Sequence, residues 1–341
     1  MRWNRLLLTL GLIFAAVTSA HGESPQRVND LKWLGSHNSY RPELDEAALT
    51  QLRQLVGSRS RGLEYGHPAI AAQLDLGVRQ LEFDPYADRQ GGRFLDPKDP
   101  DKTKQALMAK PGAKVLHIPV VDARTHCPTL RDCFDQVAKW SDTHQNHQLL
   151  VIFVNTKDDQ LGDPRLPKVE LFDDASLTAI DQDALAAFGR GRILAPDDVR
   201  GPGDSLGTAI QTKGWPSAST SRGKILLVLD SSPRIAEVYR QGHAGLKGRM
   251  MFGLYDEASP EAGVFNIQNP KTDLERIRTL VAKGFLVRTR SDADTAEARA
   301  HDLSRLDAAI KSGAQIISTD YYPGAQDPLG LNFVVKLPVA P

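Results

Sequence analysis

Short runs of apolar residues alternate with amphipathic stretches along most of the chain. The runs have strand length, whereas the stretches at 130–140, 274–282 and 303–312 repeat their apolar residues with helical spacing. Strands that alternate with helices predict an α/β fold, a parallel sheet closed into a (β/α)8 TIM barrel, and an open doubly wound sheet is the alternative. The eight predicted strands are 33–36, 79–84, 114–118, 149–155, 224–230, 249–254, 285–290 and 315–320.

One interval departs from this rhythm. Residues 158–223 hold a predicted helix at 181–188 and a Pro/Gly-rich segment at 195–207. We interpret the interval as an insertion after the fourth predicted strand. The chain from 21 to 341 is then one barrel domain.

Residues 1–20 have the features of a cleaved secretory signal. Arg2 and Arg5 precede an apolar run that is too short to span a membrane, and Thr18, Ser19 and Ala20 form a small-residue cleavage site. The predicted location is therefore secreted or periplasmic. Removing this segment leaves 40 basic and 42 acidic residues, a balance that gives no general attraction to nucleic acid.

The chain has two cysteines, Cys127 and Cys133. In an exported protein this spacing predicts a disulfide that closes a short loop. Two reduced thiols or a metal site are the alternatives.

Polar residues follow three successive predicted strands, where barrel enzymes place their active sites. Glu82 and Asp84 are two apart on one strand, so their side chains point to the same side. With the amide oxygen of Asn38 they form a hard-oxygen donor set that suits Ca²⁺, with Mg²⁺ as the second choice. Salt bridges to Arg79 or Arg89 are the structural alternative.

Two histidines and two arginines complete this set of strand-end residues. His37 and His117 could serve as general base and general acid on opposite sides of a phosphorus atom, or simply as hydrogen-bonding residues. Arg288 and Arg290 lie on one face of a strand and would bind an anion such as phosphate. Pairing with Asp292, Asp294 or Asp320 is the alternative for the two arginines.

Together these motifs resemble the Ca²⁺-dependent phosphoinositide-type phospholipase C family of the PLC-like phosphodiesterase barrels. The resemblance rests on Gly-Ser-His-Asn-Ser-Tyr at 35–40, the segment 73–84, Val-Leu-His-Ile-Pro at 115–119, and the segments 195–200 and 287–295. It implies that His37 is the general base and His117 the general acid. It also implies that Asn38, Glu82 and Asp84 bind calcium and that Arg288 contacts the headgroup.

The chain departs from the family pattern after the fourth predicted strand. Related barrels carry a further acidic metal ligand there, whereas this sequence has Asn155. Asn155 still offers a carbonyl oxygen to the metal, Asp158 could reach in instead, and Lys157 is a candidate contact for the substrate phosphate.

Other functions remain open at this stage. A glycerophosphodiester phosphodiesterase or a phospholipase D-type lipase of the same superfamily would use the same residue types. A catalytically inactive exported barrel that binds a ligand is the alternative of another class. The expected partners are a phospholipid or glycerophosphodiester substrate and, transiently, a membrane surface, and the protein is expected to be a monomer.

Overall fold

The computed structural model describes residues 25–338 except 161, 163–165 and 204. The predicted signal at 1–20 lies outside the described residues. The strands are β1 (Trp33–Ser36), β2 (Gln80–Phe83), β3 (Pro85–Tyr86), β4 (Lys114–Val115), β5 (Leu150–Asn155), β6 (Ile225–Asp230), β7 (Met251–Gly253), β8 (Val264–Asn266), β9 (Leu286–Arg290) and β10 (Ile316–Thr319). The helices are α1 (Glu46–Val56), α2 (Ile70–Asp75), α3 (Lys102–Met108), α4 (Leu130–Thr143), α5 (Asp174–Phe188), α6 (Pro196–Arg200), α7 (Leu206–Lys213), α8 (Pro233–Arg240), α9 (Leu274–Ala282), α10 (Ala296–Ala300) and α11 (Ser304–Lys311).

Eight of these strands form one parallel sheet in the order β7-β6-β5-β2-β1-β10-β9-β8. A single parallel bridge between Leu254 and Val264 joins the two outer strands, so the sheet closes on itself. The predicted TIM barrel is therefore confirmed, and the open doubly wound sheet is excluded. The carboxyl ends of the eight strands form the mouth of the barrel.

Two strand assignments from the sequence are wrong. The segment 114–118 does not enter the barrel: only Lys114 and Val115 are extended, and they pair antiparallel with Pro85 and Tyr86 outside it. The missing barrel strand is β8, which has three residues and follows Gly263 directly. One predicted strand lies outside the barrel and one barrel strand was not predicted, so β9 is still the seventh strand of the barrel.

The interval 158–223 also needs a correction. It follows β5, which is the third strand of the barrel and not the fourth. Within it, α5 begins where the side chain of Asp173 accepts a hydrogen bond from the backbone N–H of Ser176, and it buries Leu177 and Ile180 against the core. The helix packs beside α4, as a helix of the outer ring does. The interpretation of residues 21–341 as one domain stays a prediction.

Among the described residues, no helix is both long and apolar enough to cross a membrane. Cys127 and Cys133 are buried and joined by a disulfide, so the predicted pairing is confirmed. The bond ties the segment before α4 to the first turn of that helix.

Breaking this disulfide should lower stability. Loop-entropy reasoning for so short a loop predicts that replacing both cysteines with alanine lowers the free energy of unfolding by about 2.4 kcal/mol. Chemical denaturation of the double variant, followed by circular dichroism, measures the change. A variant as stable as the unmodified protein would show that the bond contributes nothing.

Candidate active site

His37 follows β1 directly, at the mouth of the barrel. Its Nδ1 lies 3.1 Å from Oδ1 of Asp320, which follows the neighbouring strand β10. Burial lowers the pKa of His37 well below its ordinary value, and the charge of Arg290 lowers it further. The imidazole is therefore neutral at neutral pH, and no hydrogen bond within the described residues engages its Nε2. A neutral imidazole with an open Nε2 can accept a proton.

The second histidine, His117, reaches the mouth from a loop and not from a barrel strand. Its Nδ1 lies 2.8 Å from Oδ2 of Asp122, and the same oxygen accepts a hydrogen bond from Nε of Arg41 at 2.7 Å. Burial works to raise the pKa of Asp122, but the charges of Arg41 and His117 outweigh it and hold that pKa at about 2. An ionised Asp122 holds the ring of His117 in place through Nδ1, as the acid partner of a catalytic histidine does.

Two buried acid–base ion pairs lie at the same mouth as these histidines. The guanidinium of Arg288 contacts the carboxylate of Glu82, and both side chains are buried. Nζ of Lys157 lies 3.1 Å from Oδ2 of Asp84, which is also buried. Burial works to raise the pKa of both carboxyl groups; Arg288 reverses this for Glu82, whereas the pKa of Asp84 stays raised.

These contacts decide between alternatives that the sequence left open. Glu82 and Asp84 do not pair with Arg79 or Arg89, because Arg79 donates to backbone carbonyls and Arg89 pairs with acids of the following loops. Arg290 does pair with an acid, since its Nη2 lies 3.2 Å from Oδ2 of Asp320. A substrate phosphate that binds Arg290 would have to compete with this pair.

The two asparagines that were predicted as metal ligands have different surroundings. Nδ2 of Asn38 donates to the hydroxyl of Tyr65 at 2.8 Å, and Oδ1 accepts from the hydroxyl of Tyr40 at 3.4 Å. Nδ2 of Asn155, at the end of β5, lies 3.3 Å from Oε1 of Glu82. Asn155 therefore touches the carboxylate cluster, while the amide of Asn38 is held by two tyrosines.

Sequence reasoning missed one acid of this cluster, Asp230. It ends β6, lies opposite Asn155 in the sheet register, and accepts a hydrogen bond from Nδ2 of Asn266 at 2.7 Å. Its Oδ2 is 3.7 Å from Nη1 of Arg288, and burial raises the pKa of Asp230 to about 6. Asp230 is the acid at the end of the fourth barrel strand. An acid at the end of a predicted strand is the same signal that identified Glu82.

The ligand atoms that this cluster offers are oxygens, the type of atom that calcium binds. Both carboxylate oxygens of Asp84 are buried and make no hydrogen bond of acceptable geometry, and Glu82 and Asp230 bring two further carboxylates to the same mouth. Such oxygen ligands are the ones that Ca²⁺ prefers. Among the described residues, no three His, Cys, Asp or Glu side chains already meet as a metal-binding group. To share an ion, the carboxylates would have to turn from their present partners.

Comparison with known families identifies the chain. The sequence model of the family described as phosphoinositide phospholipase C, Ca²⁺-dependent, matches residues 26–340. This chain belongs to that family. Members of the Ca²⁺-dependent phosphoinositide phospholipase C family are phosphoric diester hydrolases, so the resemblance seen in the strand-end motifs is confirmed.

Solved structures agree with the family on the fold. A calcium-dependent phosphoinositol-specific phospholipase C from a Gram-negative bacterium, Pseudomonas sp, is 17% identical with a TM-score of 0.55, covering 91% of this chain and 94% of that chain. A Ca²⁺-dependent phosphatidylinositol-specific phospholipase C from Streptomyces antibioticus is 17% identical with a TM-score of 0.53, covering 88% and 95%. At this identity the two structures show the barrel alone. Comparison with curated proteins gives no match.

Proposed function

We propose that this phospholipase C cleaves phosphatidylinositol by acid–base catalysis, with His37 as the general base and His117 as the general acid. The observation that carries the proposal is the matched environment of the two histidines. Each is bound through Nδ1 to a buried carboxylate, Asp320 for one and Asp122 for the other, and each side chain is 19% exposed at the mouth. Two carboxylate–cation pairs at the same mouth supply the charges that a phosphodiester site needs.

The reaction follows from these positions. The 2-hydroxyl of the inositol ring attacks the phosphorus of its own headgroup, which gives the reaction the advantage of an intramolecular step. Nε2 of His37 takes the hydroxyl proton as the new O–P bond forms. The bond from phosphorus to the glycerol oxygen breaks, and His117 gives its proton to that oxygen. The products are diacylglycerol and a cyclic inositol phosphate, which water can open with the two histidine roles reversed.

The mouth residues divide into metal ligands and phosphate contacts in this proposal. Glu82, Asp84, Asn155 and Asn38 would hold the calcium ion, as would the newly identified Asp230. Bound calcium supplies positive charge that stabilises the negative charge on the phosphoryl oxygens. Lys157 and Arg288 would contact the phosphate from the protein side, with Arg290 behind them.

Phosphorus NMR over a panel of substrates tests this function. Phosphatidylinositol should give a cyclic phosphate signal when calcium is present and no product after chelation. Phosphatidylcholine and glycerophosphocholine should not react. Choline or glycerol phosphate release from those substrates, with phosphatidylinositol unchanged, would favour a phosphodiesterase or a phospholipase D-type lipase. No turnover of any phosphodiester would favour an inactive binding barrel.

We further propose that the protein acts outside the cytoplasm after removal of residues 1–20. The disulfide between Cys127 and Cys133 supports an oxidising compartment. Sequencing the amino terminus of protein recovered from the periplasm or the medium should place the first residue after Ala20. Active protein that remains in the cytoplasm with its first 20 residues attached would contradict this proposal.

An exposed apolar side chain beside His117 supports transient contact with a lipid surface. The turn between His117 and Asp122 carries Val120, which is 64% exposed and has a φ of 67°. A β-branched residue rarely adopts this left-handed conformation. Because His117 protonates the glycerol oxygen in our proposal, the acyl chains leave on this side.

Replacing Val120 with aspartate should reduce activity on vesicles of phosphatidylinositol by about tenfold. Burying a valine side chain stabilises by about 1.5–3 kcal/mol, and aspartate loses this while adding charge at the surface. Turnover of a soluble headgroup substrate should not change. Val334→Asp is the matched control, since Val334 is an exposed valine near the end of the described chain. Equal losses on vesicles and on the soluble substrate would contradict a lipid contact.

A further inference from the structure

The proposed calcium ligands and the proposed phosphate contacts are now bound to each other. Glu82 is paired with Arg288, and Asp84 is paired with Lys157. Calcium needs both carboxylates, and the substrate phosphate needs both cations. A pair that stays intact leaves fewer free oxygens for the metal and fewer free N–H groups for the phosphate. The charges of the two pairs cancel, so neither buried carboxylate is left without a counter-charge.

Arg288 and Lys157 differ in how easily each can move away from its carboxylate partner. The side chain of Arg288 is fully buried, its Nε donates to Oγ of Ser318 at 2.8 Å, and its guanidinium lies 4.8 Å from the centre of the Phe153 ring. Its Nη1 makes no hydrogen bond. Arg288 is thus held in place, and its Nη1 remains available to donate to a ligand.

Lys157 is anchored only through its backbone. Its N–H donates to the carbonyl of Pro85 at 2.9 Å, whereas its side chain is 31% exposed and its ammonium group contacts Asp84 alone among the described acids. The carboxylate of Asp84 makes no hydrogen bond of good geometry, even to this ammonium group. A long flexible side chain in a single imperfect contact can move at little cost.

We propose that Lys157 is an exchangeable counter-cation: it neutralises Asp84 when no metal is bound, and it moves to the substrate phosphate when a divalent cation takes that carboxylate. This inference rests on the proposed function, because it assigns the phosphate and the metal to the same mouth. Its consequence is positive coupling, in which each ligand raises the affinity for the other by the same factor.

Isothermal titration with calcium and with myo-inositol 1-phosphate, each alone and in the presence of the other, measures this coupling without turnover. In the unmodified protein, calcium should raise the affinity for the phosphate about fivefold or more. In Lys157→Met, calcium should bind several times more tightly in the absence of the phosphate, because the competing cation is gone. The coupling factor should fall toward the part that direct contact between calcium and phosphate supplies.

Asp84→Asn makes the opposite change. The freed Lys157 should raise the affinity for myo-inositol 1-phosphate in the presence of a chelator, and added calcium should then change that affinity little. Lys283→Met is the matched control, since Lys283 pairs with Glu257 and lies between the end of α9 and the start of β9, at the opposite end of the barrel from the mouth. It should leave both affinities and their coupling as they are.

Melting temperature gives a second measurement. Lys157→Met leaves Asp84 buried without its cation, so the variant should melt below the unmodified protein in chelator and recover when calcium is added.

Two results would overturn the exchange: calcium affinity that is unchanged or weaker in Lys157→Met, or a coupling factor in that variant equal to that of the unmodified protein. A protein that cleaves phosphatidylinositol normally but gives either result would retain the proposed function without the exchange. A protein that shows the coupling but cleaves no phosphodiester would retain the exchange without that function.

Discussion

Replacing His117 with alanine should lower the turnover of phosphatidylinositol at least about a hundredfold, the usual contribution of a positioned acid. The variant leaves the glycerol oxygen without a proton donor. An inositol phosphate ester with a nitrophenol leaving group needs no such donor, so the variant should recover most of its rate on that substrate. Steady-state assays of both substrates provide the measurement.

His37→Ala should lose a similar factor on both substrates, because the attacking hydroxyl still has to lose its proton. His144→Ala is the matched control: His144 is 46% exposed and stacks on Trp140. It should keep normal turnover. A His117→Ala enzyme with normal activity on the natural lipid would remove the acid assignment.

The second large effect concerns calcium. Activity should rise with calcium over about 10⁻⁴–10⁻³ M, the range of many extracellular calcium modules, and chelation should abolish it. Glu82→Gln removes a charged ligand and should move the midpoint at least about tenfold higher. Asn155→Glu should move it lower, because Asn155 contacts Glu82 and so faces the cluster.

Glu82→Gln also leaves Arg288 buried without its carboxylate, which costs about 3–5 kcal/mol for a broken buried pair. Circular dichroism and melting curves must therefore accompany the calcium titration. Asp84→Asn provides a second test of the same site with its partner Lys157 partly exposed. Full activity after exhaustive chelation, in both the unmodified protein and Glu82→Gln, would contradict a calcium requirement.

The barrel could be predicted from the sequence because its strands β5 and β6 are continuous apolar runs and the other strands alternate with amphipathic helices. In β5 and β6 every residue before the last is buried, and such runs have few alternatives to a central strand. The segment 114–118 is also rich in apolar residues but is followed by Pro119, and the backbone of Lys114 and Val115 pairs with Pro85 and Tyr86. Side-chain pattern alone does not reveal the partner of a strand.

The omission of Asp230 from the predicted site follows from the wrong assignment of 114–118. Counting 114–118 as a barrel strand made Asn155 the end of the fourth strand, and Asp230 was then passed over. Asp122 and Asp320 were missed as partners of the histidines for a different reason. Asp122 lies in an irregular turn, and Asp320 is 283 residues from His37, so only the closed barrel brings them together.

The contact between Arg41 and Asp122 has a consequence for protein engineering. Arg41 is four residues after His37, and Asp122 is five residues after His117, so one buried link joins the loops that carry the two proposed catalytic histidines. Grafting either loop alone from a relative would leave one end of that link without its counterpart and displace both histidines. The smallest transferable module is thus the two loops together, with Arg41 and Asp122 exchanged as a pair.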